Sequence, residues 1–165
     1  MKMWSDIDEF TEWYQKNGYP MRPPSEDPIY VTDHSLSAIT FRQGRYQVET
    51  YFLAPNWETP NHEHPDIEYR IIYLNGTLTG TKNKEKLVDT PDYFYADMKK
   101  EDGTNVGFGT VWDFSGSDQH TVKTGPRGGL IAITQYWPEH LTMSSQSVHY
   151  VGDPIGPEHA TKIKV

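Results

Sequence analysis

From residue 29 to residue 151 the sequence is cut into short runs rich in β-branched and aromatic residues, each closed by turn formers. Runs at 29–32, 36–41, 46–53, 67–74, 77–80, 93–98, 106–114, 120–123, 130–137 and 148–151 predict strands, and Gly44 marks one turn between them. Helical periodicity is weak beyond Gly18. So many short strands at regular intervals restrict the chain to an all-β sandwich or small barrel of the jelly-roll type. The one helical signal precedes them. Trp4, Ile7, Phe10, Trp13 and Tyr14 recur at three- and four-residue spacing, with Ser5 as the expected cap, Asp8 as the capping-box acid and Gly18 as the stop. This aromatic stripe is expected to pack on the body of the domain.

A chain of 165 residues is expected to form one domain that buries roughly two-thirds of its unfolded surface. The expected organisation is a helix and extended connection over 1–28, the latter carrying four prolines at 19–28, a barrel over 29–152 and an irregular tail over 153–165. A formal charge of -8 argues against nucleic acid and against an anionic membrane surface, since both need a basic footprint. The absence of cysteine leaves the redox compartment open. The start turns acidic at Asp6, where a secretory signal would turn apolar, and no apolar run approaches the roughly 20 residues of a membrane span. A cytoplasmic location is the expectation.

The chemistry lies in Pro60-Asn61-His62-Glu63-His64-Pro65-Asp66-Ile67-Glu68. In extended chain, alternation puts His62 and His64 on one side, and Glu68 shares their parity. A further nitrogen from elsewhere would complete a mixed imidazole and carboxylate site for a divalent transition metal, and His120 is the candidate. By the same parity Arg70 points inward with Glu68, while Tyr69, Ile71 and Tyr73 point away. An inward guanidinium needs a ligand anion or an ion pair, with Glu49, Asp97 or Asp113 as the candidate carboxylates. Tyr51, Tyr95, Trp112 and Tyr136 are candidate wall residues. His34, His140, His149 and His159 lie in turns or near the chain end and carry little signal. The lysines at 82, 84 and 86 are expected in a solvated loop.

The pattern His62-x-His64-x-x-x-Glu68, followed by Gly76, resembles the first motif of the cupin superfamily, and residues 109–124 around His120 resemble the second. Departures fall on turn residues. Asn56 stands where the first motif has a glycine, and Ser115, Ser117 and Thr124 replace a proline, a glycine and an asparagine of the second. The resemblance, which spans residues 57–137, implies a jelly-roll barrel, or double-stranded β-helix, with a metal on His62, His64, Glu68 and His120. It also allows a homodimer built on a barrel face. Three nitrogens and a carboxylate suit Fe, Mn, Ni, Cu or Zn, with positions left for water, substrate or dioxygen. Cupins that cleave dimethylsulfoniopropionate resemble this motif but carry a tyrosine where Arg70 stands, so that activity is not assigned.

The function expected is a metal-dependent enzyme acting on a small polar, anionic molecule by isomerase, lyase or dioxygenase chemistry, with Arg70, Tyr51 and Tyr136 as candidate catalytic residues. The alternative is a non-catalytic small-molecule or sugar-binding protein with a structural metal.

Overall fold

The computed structural model of the chain describes residues 4–17, 28–65, 67–87, 111–114, 118–143, 149–150 and 161–164. The expectations for Gly18, for the strand over 93–98 with Tyr95 and Asp97, and for 106–110 lie outside the described residues. Among these residues the elements are α1 (Ile7–Asn17), β1 (Pro28–Val31), β2 (Ser35–Gln43), β3 (Tyr46–Leu53), β4 (His62–Glu63) and β5 (Glu68–Lys82). They continue with β6 (Glu85–Lys86), β7 (Val111–Phe114), β8 (His120–Tyr136), β9 (His149–Tyr150) and β10 (Thr161–Lys164). The strands run in the order β10-β1-β2-β3-β8-β4-β9, with β5 along β8 and carrying β6 and β7. The fold is all-β with one short N-terminal helix.

Two expectations of the sequence shift here. The stretch Thr161–Lys164, assigned to a tail, is a strand that pairs with β1, Ile29 opposite Ile163, and so covers backbone groups that would otherwise form an open edge. The helix cap lies one residue later than Ser5. Asp6 Oδ1 accepts the Glu9 N–H at 2.8 Å, while Glu9 reaches back to the Ser5 N–H at 3.1 Å and to its hydroxyl. Asp6 precedes the first helical residue, Ile7, so its carboxylate is the one aimed at the exposed N–H groups of the first turn.

The scaffold is a ribbon of β5 and β8, which pair from Glu68↔Tyr136 to Lys82↔His120 with register shifts between Tyr73 and Asn75 and between Gly76 and Leu78. Those irregularities lie midway along the ribbon. Across from them, Gly128 has φ +72°, and a Cβ there would stand 2.4 Å from the Leu53 carbonyl oxygen. A side chain is excluded both by conformation and by space.

Alternation then sorts the side chains to two faces. One carries Tyr46, Val48, Ile72, Leu74, Leu130 and Ala132, which pack under Trp4, Ile7, Phe10 and Tyr14 of the helical segment. The aromatic stripe is core packing, as expected. The other face gathers Leu53, Ile67, Tyr69, Ile71, Tyr73, Phe114, Ile131 and Ile133 into the barrel interior. Among the described residues no helix is long and apolar enough to cross a membrane.

Candidate metal centre

The residues before the histidines are stitched to the first half of β8. Thr59 N–H donates to the Val122 carbonyl at 2.8 Å, Val122 N–H to Thr59 Oγ1 at 2.9 Å, and Thr124 N–H to the Trp57 carbonyl at 2.9 Å. Thr124 Oγ1 also donates to the Ala54 carbonyl at 2.6 Å and accepts the Trp57 N–H at 3.0 Å. This antiparallel seam continues into β4 and puts His62 directly opposite His120. Asn56, which opens the segment, has φ 51°, a left-handed conformation that asparagine tolerates better than most side chains. The position where the cupin motif has glycine thus keeps a backbone suited to glycine.

His62, His64 and His120 are all buried, and one ring nitrogen from each lies within 4.8 Å of the others. The rings stand 4.1 Å apart for His62 and His120, 5.1 Å for His62 and His64, and 5.2 Å for His64 and His120. His62 Nδ1 is 2.7 Å from the Pro60 carbonyl oxygen. A carbonyl only accepts, so Nδ1 carries the proton and Nε2 keeps its lone pair. Burial lowers the pKa of His62, against the opposing bond to Pro60. It lowers that of His120 further, with the neighbouring His62 and His64 adding to the effect and a hydrogen bond to the Asp118 backbone opposing it. Both rings are therefore held as neutral donors.

Two aromatic side chains line this group. Tyr69 Oη lies 3.0 Å from His120 Nδ1. Phe114 stacks on Tyr69 at 5.5 Å and sits 4.7 Å from the His120 ring, with Lys82 Nζ 5.6 Å from its centroid.

Glu68 is not brought to the histidines. It is exposed, as the alternation Ile67 buried, Glu68 exposed, Tyr69 buried shows. The parity counted from His62 does not survive because β4 ends at Glu63 and the chain turns at Pro65 before β5 begins at Glu68. Alternation holds only within one extended strand. The inward residue is Tyr69 in place of Glu68.

Arg70 shares the outward side. Its Nε bonds Asp8 Oδ1 of α1 at 2.9 Å, and its Nη1 donates to the carbonyls of Tyr69 at 2.8 Å and Phe114 at 3.1 Å. Asp8 is one carboxylate that it meets, while Glu49 lies on the opposite face of the sheet and the side chains of Asp97 and Asp113 lie outside the described residues. Arg70 lines a surface cleft of about 450 Å³ with Asp6, Asp8, Glu68, Lys82 and Asp118. Tyr136 also lies on the helix side, 5.0 Å from the ring of Tyr46. Tyr51 alone of the three expected catalytic residues belongs to the inner cluster.

Sequence reasoning weighed Glu49 only as an ion-pair partner for Arg70. Glu49 is 3% exposed on the inner face of β3, where Gln135 Nε2 donates to its Oε1 at 3.2 Å. Gln135 Oε1 in turn accepts from Gln47 Nε2 at 2.8 Å and from Trp137 Nε1 at 2.9 Å. Burial pushes the Glu49 carboxyl up to about 8, against the lowering effect of hydrogen bonds from Gln135 and Tyr51.

No protein-family model matches the sequence, and no curated protein sequence is similar to it. Solved structures do match the fold. KdgF from Halomonas sp. superposes with a TM-score of 0.50 at 10% identity, over 70% of this chain and 92% of that one. CapF, solved with the inhibitor 3-isopropenyl-tropolone, matches with a TM-score of 0.52 at 12% identity, over 76% of this chain and 34% of its own. The cupin domain of Cnp3 from Schizosaccharomyces pombe gives a TM-score of 0.49 at 11% identity, over 63% and 65%. Such identities speak to fold alone. The fold of this chain is like that of KdgF and CapF, in keeping with the expected all-β jelly roll.

Proposed function

We propose that this chain is a metal-dependent enzyme in which His62, His64 and His120 hold one divalent transition metal and the barrel receives a small, oxygen-rich anion. The observation that carries the reading is the convergence of three buried imidazoles, drawn from two distant parts of the chain, to within 4.8 Å. The donor set fits such an ion. Buried neutral imidazoles suit Fe, Ni, Cu or Zn, whereas Mn favours the oxygen ligands that this group lacks once Glu68 is outside it.

When bound, the ion would supply Lewis-acid polarisation of a substrate oxygen. Everything else falls to the chain. The His62 bond to Pro60 fixes which nitrogen faces the centre, and Tyr69 Oη holds the orientation of the His120 ring. Phe114 and Tyr69 wall that side with aromatic surface, which limits water there. Three neutral donors leave the charge of a divalent ion uncompensated, which favours an anionic substrate such as a small hydroxy- or oxo-acid.

Elemental analysis of protein purified without added metal tests the assignment. About one ion per chain is expected in the wild type and in Glu68→Ala, and near none in His62→Ala or His120→Ala with unchanged circular dichroism. Equal metal content in all four proteins, or none in the wild type even after incubation with Zn(II), Ni(II) or Fe(II), would reject it.

A further inference from the structure

The β3 wall of the barrel holds a polar group with an unfilled valence. The Glu49 carboxyl is engaged by Gln135 at Oε1 and by Tyr51, but Oε2 is buried and has no hydrogen-bond partner among the described residues. A carboxyl oxygen withdrawn from water in this way is costly unless something in the cavity meets it. The other polar groups of this wall are already committed to holding Glu49 in place. Gln47 and Trp137 both donate to Gln135, which fixes the amide whose Nε2 reaches Glu49, and Arg42 Nε secures Gln47 at 3.0 Å.

The position relative to the histidines follows from the strand order. Glu49 opposes Ile133 and Gln47 opposes Gln135 on β8, while Gln135 opposes Tyr69 on β5. Glu49 therefore lies two strand spacings across and two residues along from Tyr69 on one inner wall, about 12 Å between backbones. Tyr69 touches His120. Glu49 and Tyr69 both belong to the inner face of the same sheet, so a small molecule held inside the barrel would meet the carboxyl at one end and the imidazoles at the other.

We propose that Glu49 Oε2 is the second anchor of the barrel ligand, donating a hydrogen bond as a neutral carboxylic acid to an oxygen of a small carboxylate whose other end faces His62, His64 and His120. Its raised pKa keeps the donor proton in place at neutral pH. The inference rests on the proposed function for where the far end of the ligand sits. Other charged or titratable groups on the same inner side, among the described residues, are Arg42 on β2, Tyr51 on β3, Tyr69 and Tyr73 on β5, and the three histidines.

Calorimetric titration with malonate, on protein first loaded with Zn(II) and assayed for its zinc, tests the contact at pH 7.0 and pH 9.5. Wild-type protein should bind about tenfold or more weakly at the higher pH, because loss of the proton places a carboxylate against a carboxylate. Glu49→Gln, whose amide keeps a donor and cannot titrate, should lose that dependence. Glu49→Leu, with folding checked by circular dichroism, should bind weakly at both. The same pH dependence in wild type and Glu49→Gln, or no malonate binding by zinc-loaded wild type, would overturn the proposal. Repeating the titration on metal-free protein separates the two readings. A dependence on Glu49 that persists without zinc keeps this anchor and removes the metal from ligand binding.

Discussion

Tyr69 Oη lies 3.0 Å from Nδ1 of His120, although along the sheet Tyr69 pairs with Gln135 and His120 pairs with Lys82. The two residues sit at opposite ends of the β5–β8 ribbon and meet because it bends near Gly76 and Gly128 and folds over itself. Tyr69→Phe removes one hydroxyl and keeps the stack on Phe114. Metal affinity should fall about tenfold, the low end for losing a ligand's supporting hydrogen bond. Chelator competition measures it, and unchanged affinity would show that the His120 ring needs no such support.

Gly80 tests the other end of the ribbon. A Cβ at this position would stand 2.1 Å from the carbonyl oxygen of Thr121, the residue next to His120. Backbone cannot step aside as a flexible side chain does, so Gly80→Ala must part β5 from β8 locally. A loss of about 2 kcal/mol or more in urea denaturation is expected, in the range of overpacked cores, together with reduced metal content. Stability equal to wild type would show the ribbon to be loose there.

Glu49 makes stability depend on pH. Its folded pKa is raised from 4.5 to about 8, so between those values the folded protein keeps a proton that the unfolded chain has released. The stabilisation of the protonated folded form is full below pH 4.5 and is lost as pH rises through about 8. Buried His62 and His120, with lowered pKa values, act oppositely: stability is full above the ordinary histidine value of 6.5 and falls as acid protonates the unfolded chain preferentially. Metal-free protein should therefore lose stability from pH 7 to pH 9, by a few kcal/mol at most. Glu49→Gln should flatten that limb and leave the acid limb intact. Equal slopes between pH 7 and pH 9 in the two proteins would contradict the assignment.

Arg70→Ala should leave ligand and metal binding unchanged. Its side chain straps α1 to β5 through Asp8 and bonds two carbonyls on the helix side of the sheet. The partly exposed ion pair contributes at most about 1 kcal/mol, and the carbonyl bonds about as much again. Thermal melts should show this modest loss. A variant that melts normally but no longer binds malonate would return Arg70 to the site.

Fold class was legible along the chain because strand runs, turn formers and the three-to-four spacing of Trp4, Ile7, Phe10 and Tyr14 are local signals. The residue types of the centre were legible too, since histidines before a strong strand have few structural uses. Asn56 and Thr124 departed from the cupin pattern in identity and yet serve the same seam, one by its left-handed backbone and one by its hydroxyl.

What the chain order could not decide was which face each side chain takes. Parity is reset wherever a strand stops, and the turn at Pro65 moved Glu68 and Arg70 outward and Tyr69 inward. Glu49 alternates with Val48 and Thr50 as a solvent-facing residue would, and only the closing of the barrel over that face buries it. Local sequence determines periodicity, while burial depends on which surfaces the tertiary fold brings together, so the histidines were recognisable in advance and their partners were not.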